Sequence, residues 1–330
     1  MRAPGFWATP PGQPTLLARA LQPLGALYAA ATARRLQTPG YTASIPVLCI
    51  GNLNAGGTGK TPTTIALIER LAQRGQTGVH IVSRGYGGRL SGPIRVDPAH
   101  HVAADVGDEP LLLAAFAPTW VAKDRAAGVQ AAESAGATVI LLDDGFQNPS
   151  VTKSLSIIVV DAATGFGNGR CIPAGPLREP IATGLARADF VLSIGTTADQ
   201  ARFATLWGDK ITLPHLTGHL AAIQMGMDWQ GLRALAFAGI GHPEKFFTTL
   251  RNEGAIIAAT VALDDHQPLS SALMQRLVAQ AKALHAQLVT TEKDAIRLPD
   301  SFRSQVLTLP VRLHLNDWSA LDATLKKLRL

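Results

Sequence analysis

Three groups of residues in this chain have the types and spacing for phosphoryl chemistry. The first is Asn54-Ala55-Gly56-Gly57-Thr58-Gly59-Lys60-Thr61, set between an apolar stretch at 46–50 and a helix-patterned segment at 59–74. Backbone N–H groups of such a turn, helped by the helix N-terminus, cradle phosphate oxygens. Lys60 reaches the β/γ-phosphates and the Thr61 hydroxyl can ligate Mg²⁺. Pro62 falls in the first helical turn, where its missing N–H costs nothing. Asn54 stands where the usual pattern has its first glycine, so a left-handed conformation is expected there.

The second group is Asp143-Asp144, delivered by the apolar run 138–142 to the end of a strand, about 80 residues after the lysine. A P-loop fold places its Mg²⁺-directed carboxylate there. One of the two is expected to serve the metal, and spacing alone does not choose between them. The third group is split. Gly107-Asp108-Glu109-Pro110 opens a helical run, where an aspartate is more often an ordinary helix cap than a base. Asp264-Asp265-His266 is an acid–imidazole cluster in which a flanking aspartate can orient and tune the ring. His215 and His219 have metal spacing for a helix, but Pro214 and Gly218 argue against a helix there.

The surrounding elements must position these groups. Apolar strands are expected at 46–50, 80–82, 138–142, 157–160 and 190–194, with helices between them. Continuous apolar runs of this kind indicate a parallel sheet covered on both faces. The rhythm is lost between 211 and 231 and resumes with strands at 235–239, 256–261 and 288–290 and helices at 244–252 and 270–285. The fold class is therefore α/β: a P-loop NTPase-like, mainly parallel sheet domain, a second smaller α/β domain and an N-terminal amphipathic helix. The expected divisions are a helix at 1–35, a nucleotide-binding domain at 36–212, a β linker at 213–230 and a smaller domain at 231–330.

Length and composition agree. Of 330 residues, 47% are hydrophobic and 16% charged, which excludes a disordered or fibrous chain. Thirty Lys and Arg against 24 Asp and Glu give a net charge of +6, which suits an anionic partner. Two cysteines, Cys49 and Cys171, make no disulfide framework and point to a reducing compartment. In the stretch 16–33 Leu17, Leu21, Leu24, Tyr28 and Ala31 recur at helical spacing, interrupted by Arg19 and Pro23. That face either docks on the body of the protein or lies in the headgroup region of an anionic membrane; the residues alone lean to docking.

Thr291-Glu292-Lys293-Asp294 lacks the asparagine and the spacer of a guanine reader, and the aromatics are too scattered for a nucleic-acid motor. A small-molecule kinase needs less: a P-loop, Mg²⁺ carboxylates, a base and cations. The motifs then occur in a telling order: Gly51-Asn52-Leu53 through Pro62, Ser83-Arg84-Gly85-Tyr86-Gly87-Gly88, Gly107-Asp108-Glu109-Pro110, Asp143-Asp144-Gly145-Phe146-Gln147, Pro173 through Pro180, Ala236 through Gly241, and Thr290-Thr291-Glu292-Lys293-Asp294. Together they resemble the tetraacyldisaccharide 4′-kinase family of the lipid A pathway, over nearly the whole chain.

That resemblance implies ATP- and Mg²⁺-dependent phosphorylation of the 4′-hydroxyl of an acylated glucosamine disaccharide 1-phosphate. It also implies a protein held, partly by its N-terminal helix, on the anionic cytoplasmic face of a bacterial inner membrane, and it tips the reading of 16–33 toward membrane contact. A monomer is expected, with no nucleic-acid partner. Carried over residue by residue, the family's base dyad falls on Asp108 and His266, whose two domains must close for them to meet. ATP binding falls on residues 54 to 61, and Mg²⁺ on Thr61, Glu109 and Asp143 or Asp144. By their chemistry Arg84, Arg125 and Arg178 are candidates for the substrate 1-phosphate or the transferring group, although an exposed arginine more often only solubilises; Arg84, Gln147 and Arg178 are assigned to the substrate. Two positions depart from the family pattern: Asn148 and Gln267 stand where it has histidines. The competing reading is a P-loop regulatory ATPase without an acceptor hydroxyl, for which a second domain carrying Asp265-His266 would have no use.

Overall fold

The computed structural model describes residues 3–223 and 226–330. Its centre is a nine-stranded sheet built from β1 (Val47–Gly51), β2 (Val79–Ser83), β3 (Ile94–Arg95), β4 (Thr119–Val121), β5 (Val139–Asp143), β6 (Leu155–Asp161), β7 (Phe190–Ile194) and β8 (His215–Ala222), with a late strand described below. A second sheet contains β9 (Arg233–Ala238), β10 (Ile256–Ala262), β11 (Gln287–Thr291) and β12 (Val306–Leu309). The chain then returns to the large sheet as β13 (Val311–Leu315). The orders are β13-β8-β7-β6-β1-β5-β2-β4-β3 and β10-β9-β11-β12. All pairings are parallel except the edges β13–β8 and β3–β4.

The apolar runs explain the large sheet. Every residue of β1, β2, β5, β6 and β7 is buried, because helices cover both faces. One face packs Leu48, Ile50, Leu141 and Ile157 against the P-loop helix (Lys60–Gln73) through Ile65, Leu67, Ile68 and Leu71. The strand order reverses around β1, where β6 lies on one side and β5 on the other. In such sheets the crevice beyond the strand ends at the reversal is where ligands bind. The P-loop follows β1 there, and the Ile50↔Asp143 register sets the two aspartates beside it.

Two divisions differ from the sequence expectation. Residues 215–222 of the expected linker are β8, hydrogen-bonded to β7. The C-terminus does not belong to the smaller unit: β13 pairs with β8, and Leu313, Leu321, Leu325 and Leu330 join the core that contains Leu48. The smaller sheet thus lies within an excursion from the large one. The β character of this stretch was expected, but its irregular burial, with Leu216 and Gly218 buried and His215, His219 and Leu220 exposed, did not mark it as a strand of the large sheet, and no local signal marks which sheet a C-terminal strand joins.

The N-terminal segment forms two helices, Leu16–Ala20 and Gln22–Leu36, with Pro23 in the first turn of the second, where it is tolerated. The docked side is a row of small residues, Ala18, Gly25 and Thr32, seven apart. A Cβ at Gly25 would sit 2.9 Å from the Cys171 carbonyl oxygen. The large apolar residues face outward: Leu16, Leu17, Leu24 and Leu27 are 82, 54, 53 and 67% exposed. Docking through Leu17, Leu24 and Tyr28 is therefore not what occurs. Close backbone approach selected the small residues and left the leucines free.

Candidate active site

The P-loop takes its shape from glycine. Gly56 and Gly59 have φ of 121° and 99°, a region closed to most side chains. A Cβ on Gly59 would also meet Ile194 Cδ1 at 2.7 Å. Asn54 is not left-handed, in contrast to the sequence expectation. It bridges Leu177 in strand fashion and its side-chain amide donates to the Gly165 carbonyl at 3.0 Å. Ala55 N–H donates to the Pro176 carbonyl at 2.7 Å, and the Asn52 amide to the Gly56 carbonyl at 3.1 Å. The loop is braced from outside, so its open N–H groups can face a ligand. The Thr58 hydroxyl is buried with no hydrogen-bond partner among the described residues. Thr61 is the second residue of the helix that follows.

Lys60 Nζ lies 3.8 Å from Asp144 Oδ1, which also accepts from Arg178 Nη1 at 3.0 Å. Burial raises the Asp144 carboxyl, but Lys60 and Arg178 outweigh it and hold the group below the usual range. Asp143 is opposite in character. It is buried, and burial first, then the charges of Glu109 and Asp144, push it up to about 7. Ser83 Oγ donates to its Oδ2 at 3.0 Å, while Oδ1 has no partner among the described residues. A buried acceptor without a donor suits one oxygen ligand of a hard cation such as Mg²⁺. Among the described residues no three acidic, histidine or cysteine side chains stand close enough to hold a metal by themselves, so the triphosphate would supply further ligands.

Asp108 and His266 come together. His266 Nδ1 is 2.9 Å from Asp108 Oδ2, across the gap between the large sheet and the small one. Asp108 is buried in the first turn of a short helix (Asp108–Leu113). Burial alone would raise its carboxyl; the bond from His266, with Lys293 and Arg297 nearby, brings it below the ordinary value. The same bond lifts the His266 imidazole above its ordinary value. His266 has φ of 58°, on a turn whose N–H donates to the Gly239 carbonyl at 3.2 Å. The exposed Tyr86 ring lies 5.7 Å from the imidazole. A Cβ on Gly241 would be 3.9 Å from the Gly57 nitrogen, so the loop after β9 covers the P-loop.

The remaining candidates separate. Arg84 is exposed beside Ser83. Gln147 spends its amide internally, donating to Asn52 O at 2.8 Å and Glu179 Oε1 at 3.0 Å and accepting from Arg178 at 3.3 Å. Arg178 faces Asp144. Arg125 is buried, donating to the Ala122 and Asp143 carbonyls, and so serves as a brace beneath the aspartates. The two departures from the family pattern have structural partners: Asn148 Oδ1 accepts from Ser150, and Gln267 Oε1 from the Asp264 N–H. Sequence reasoning missed Lys293, 3.1 Å from Glu109 Oε1, and Arg297, 3.7 Å from Asp108 Oδ2. The Thr-Glu-Lys-Asp run was visible as a motif, but nothing local showed which carboxylate it would meet.

A family model for tetraacyldisaccharide-1-P 4′-kinase matches residues 17–329. The chain belongs to this kinase family. Its relatives include proteins named tetraacyldisaccharide 4′-kinase from Dinoroseobacter shibae, 66% identical over 99% of this chain and 98% of the relative, and from Jannaschia sp., 60% identical over 99% of each. The fold is similar to that of Aquifex aeolicus LpxK, crystallised in complex with ATP. That match has a TM-score of 0.77 at 24% identity and covers 95% of this chain and 99% of the other. In this chain the glycine-rich loop, the Asp143–Asp144 pair and the Asp108–His266 contact lie around one crevice.

Proposed function

We propose that the chain transfers the γ-phosphoryl group of ATP to the 4′-hydroxyl of a tetraacylated glucosamine disaccharide 1-phosphate. Kinase chemistry follows from family membership; the observation that carries the residue roles is the Asp108–His266 contact made across the crevice from the P-loop. The pair accepts the proton of the acceptor hydroxyl as its oxygen bonds to the γ-phosphorus and the bond to the ADP oxygen breaks. Lys60, fixed against Asp144 until nucleotide enters, balances charge on the phosphoryl oxygens. Thr61, Glu109 and Asp143 would hold Mg²⁺, with Asp143 Oδ1 the open donor and Asp144 engaged by Lys60 and Arg178. Bound there, the ion neutralises the triphosphate. Arg84, exposed beside the crevice, is the cation free to meet an anionic acceptor, and Gln147 orients Arg178.

Among the described residues no helix is long and apolar enough to cross a membrane. The outward leucines of 16–36, with Arg19, Arg34 and Arg35, suit an interfacial contact with an anionic bilayer on the cytoplasmic side of the inner membrane. Both halves of the site come from one chain, which suits a monomer.

The test is transfer of label from [γ-³²P]ATP to the tetraacyldisaccharide 1-phosphate in detergent with Mg²⁺. Label in the lipid supports the reading; phosphate release at a rate independent of lipid overturns it.

A further inference from the structure

The short helix Glu292–Ala295 follows β11 at once and is fastened on every side. Asp294 is fully buried, accepting from the Gly239 N–H and the Thr291 hydroxyl, and its own N–H donates to Thr291 Oγ1 at 3.1 Å. Arg297 ties the next turn to Asp294, to the Gly239 carbonyl at 3.1 Å and to the Gln267 carbonyl at 3.0 Å. Arg312 of β13 reaches Glu292 Oε2 at 2.8 Å, joining the helix to the large sheet. From this fixed base Lys293 extends across the crevice to Glu109 Oε1, 184 residues away in sequence.

On the receiving side the Asp108 carboxylate is held by His266 and Arg297, and the Glu109 carboxylate is met by Lys293. Gly107, with φ of 89°, turns the chain into a helix of six residues whose first two are Asp108 and Glu109. A helix this short does not by itself fix the carboxylates at its mouth. A partly buried lysine–carboxylate pair adds little net stability, because side-chain ordering and desolvation offset the attraction. What such a pair delivers is geometry.

We propose that Lys293 is a positioning residue of the transfer reaction. Supplied by the smaller unit, it fixes the Glu109 carboxylate, and through it the Asp108–Glu109 turn, relative to the P-loop. This deepens the kinase reading and rests on it. Its contact is with Glu109, and through it Lys293 couples the seating of the small sheet to the alignment of the base.

The experiment compares the full chain with its Lys293→Met and Lys293→Arg variants in the lipid-transfer assay. Affinity for a fluorescent ATP analogue is measured alongside, as is Mn²⁺ binding by electron paramagnetic resonance in the presence of a non-hydrolysable ATP analogue. Lys293→Met is expected to lower kcat by about 10–100-fold, as loss of a supporting partner does, with KM for ATP and nucleotide affinity within about twofold. Lys293→Arg, which keeps the charge, recovers most of that loss, and Mn²⁺ binding weakens only in the methionine variant. Near-normal kcat in Lys293→Met overturns the proposal, as does equal damage in both variants. If the unaltered chain transfers no label to lipid, the kinase reading fails. The Mn²⁺ titration still decides Lys293 in that case: unchanged binding in Lys293→Met overturns it.

Discussion

His266 Nδ1 and Asp108 Oδ2 lie 2.9 Å apart although 158 residues separate them, and each shifts the other's proton affinity toward the ion pair. The sequence expectation was that these groups meet only with the crevice closed, and here they meet.

Replacing Asp108 with Asn should leave nucleotide affinity near normal and lower lipid phosphorylation by on the order of 10²–10⁴-fold, the span of general base catalysis. Parallel measurement of label transfer and nucleotide titration checks this. A variant with near-normal turnover removes Asp108 from the mechanism.

The pair also fixes a pH dependence. His266 sits above its ordinary 6.5, so its contribution to stability is complete below about 6.5 and is lost as pH rises through the raised value. Asp108 sits below its ordinary 3.8, so its contribution holds above that and is lost on acidification through the lowered value. The difference in stability between the parent chain and His266→Ala is therefore expected to be greatest between about pH 4 and 6.5. In NMR titrations the imidazole should titrate above 6.5 in the parent and move down in Asp108→Asn. No movement means the contact is absent in solution.

Asp143, raised from 3.8 to about 7, has the opposite consequence. A carboxyl raised by burial costs stability once ionised, so its favourable contribution is lost as pH climbs from 3.8 through 7. At pH 8, free of metal, Asp143→Asn should melt higher than the parent by at least about 2–4 °C, the shift that each 1 kcal/mol produces in a chain somewhat smaller than this. The gap should close toward pH 4. Mg²⁺ added together with ATP should stabilise the parent beyond ATP alone, and that metal-dependent increment should shrink in the variant. Calorimetry across pH, with and without Mg²⁺–ATP, measures both.

Lys60→Ala should impair ATP use, lowering turnover by at least about 100-fold in keeping with lost phosphate charge stabilisation. Unchanged ATP affinity together with unchanged turnover would refute the P-loop role.

Leu24→Gln combined with Leu27→Gln alters two outward residues and leaves the docked row of Ala18, Gly25 and Thr32 intact. Binding to vesicles rich in anionic lipid should weaken several-fold while the melting temperature stays within about 1 °C, as expected for surface changes. Gly25→Val is the converse, forcing a clash with the Cys171 carbonyl and lifting the helix from the body. Vesicle co-sedimentation and thermal melting separate the two.

The sequence by itself determined what local rules control. Strands β1, β2, β5, β6 and β7 were legible because apolar runs buried on both faces have one outcome, and the Gly-Gly-Thr-Gly-Lys-Thr turn because glycine opens conformations that other residues lack. The family was legible from the order of its motifs. The tertiary structure decided what depends on partners distant in sequence. It placed β8 and β13 in the large sheet and turned the leucines of 16–36 outward. Asn54 became a brace where a left-handed residue was expected. Asp143 was left open while Asp144 was paired, although the two are neighbours and chemically identical. Lys293 and Arg297 gained their carboxylates in the same way, since no spacing rule reaches across 184 residues. Identity and local propensity are written along the chain, whereas proton affinity and position arise from neighbours that only folding supplies.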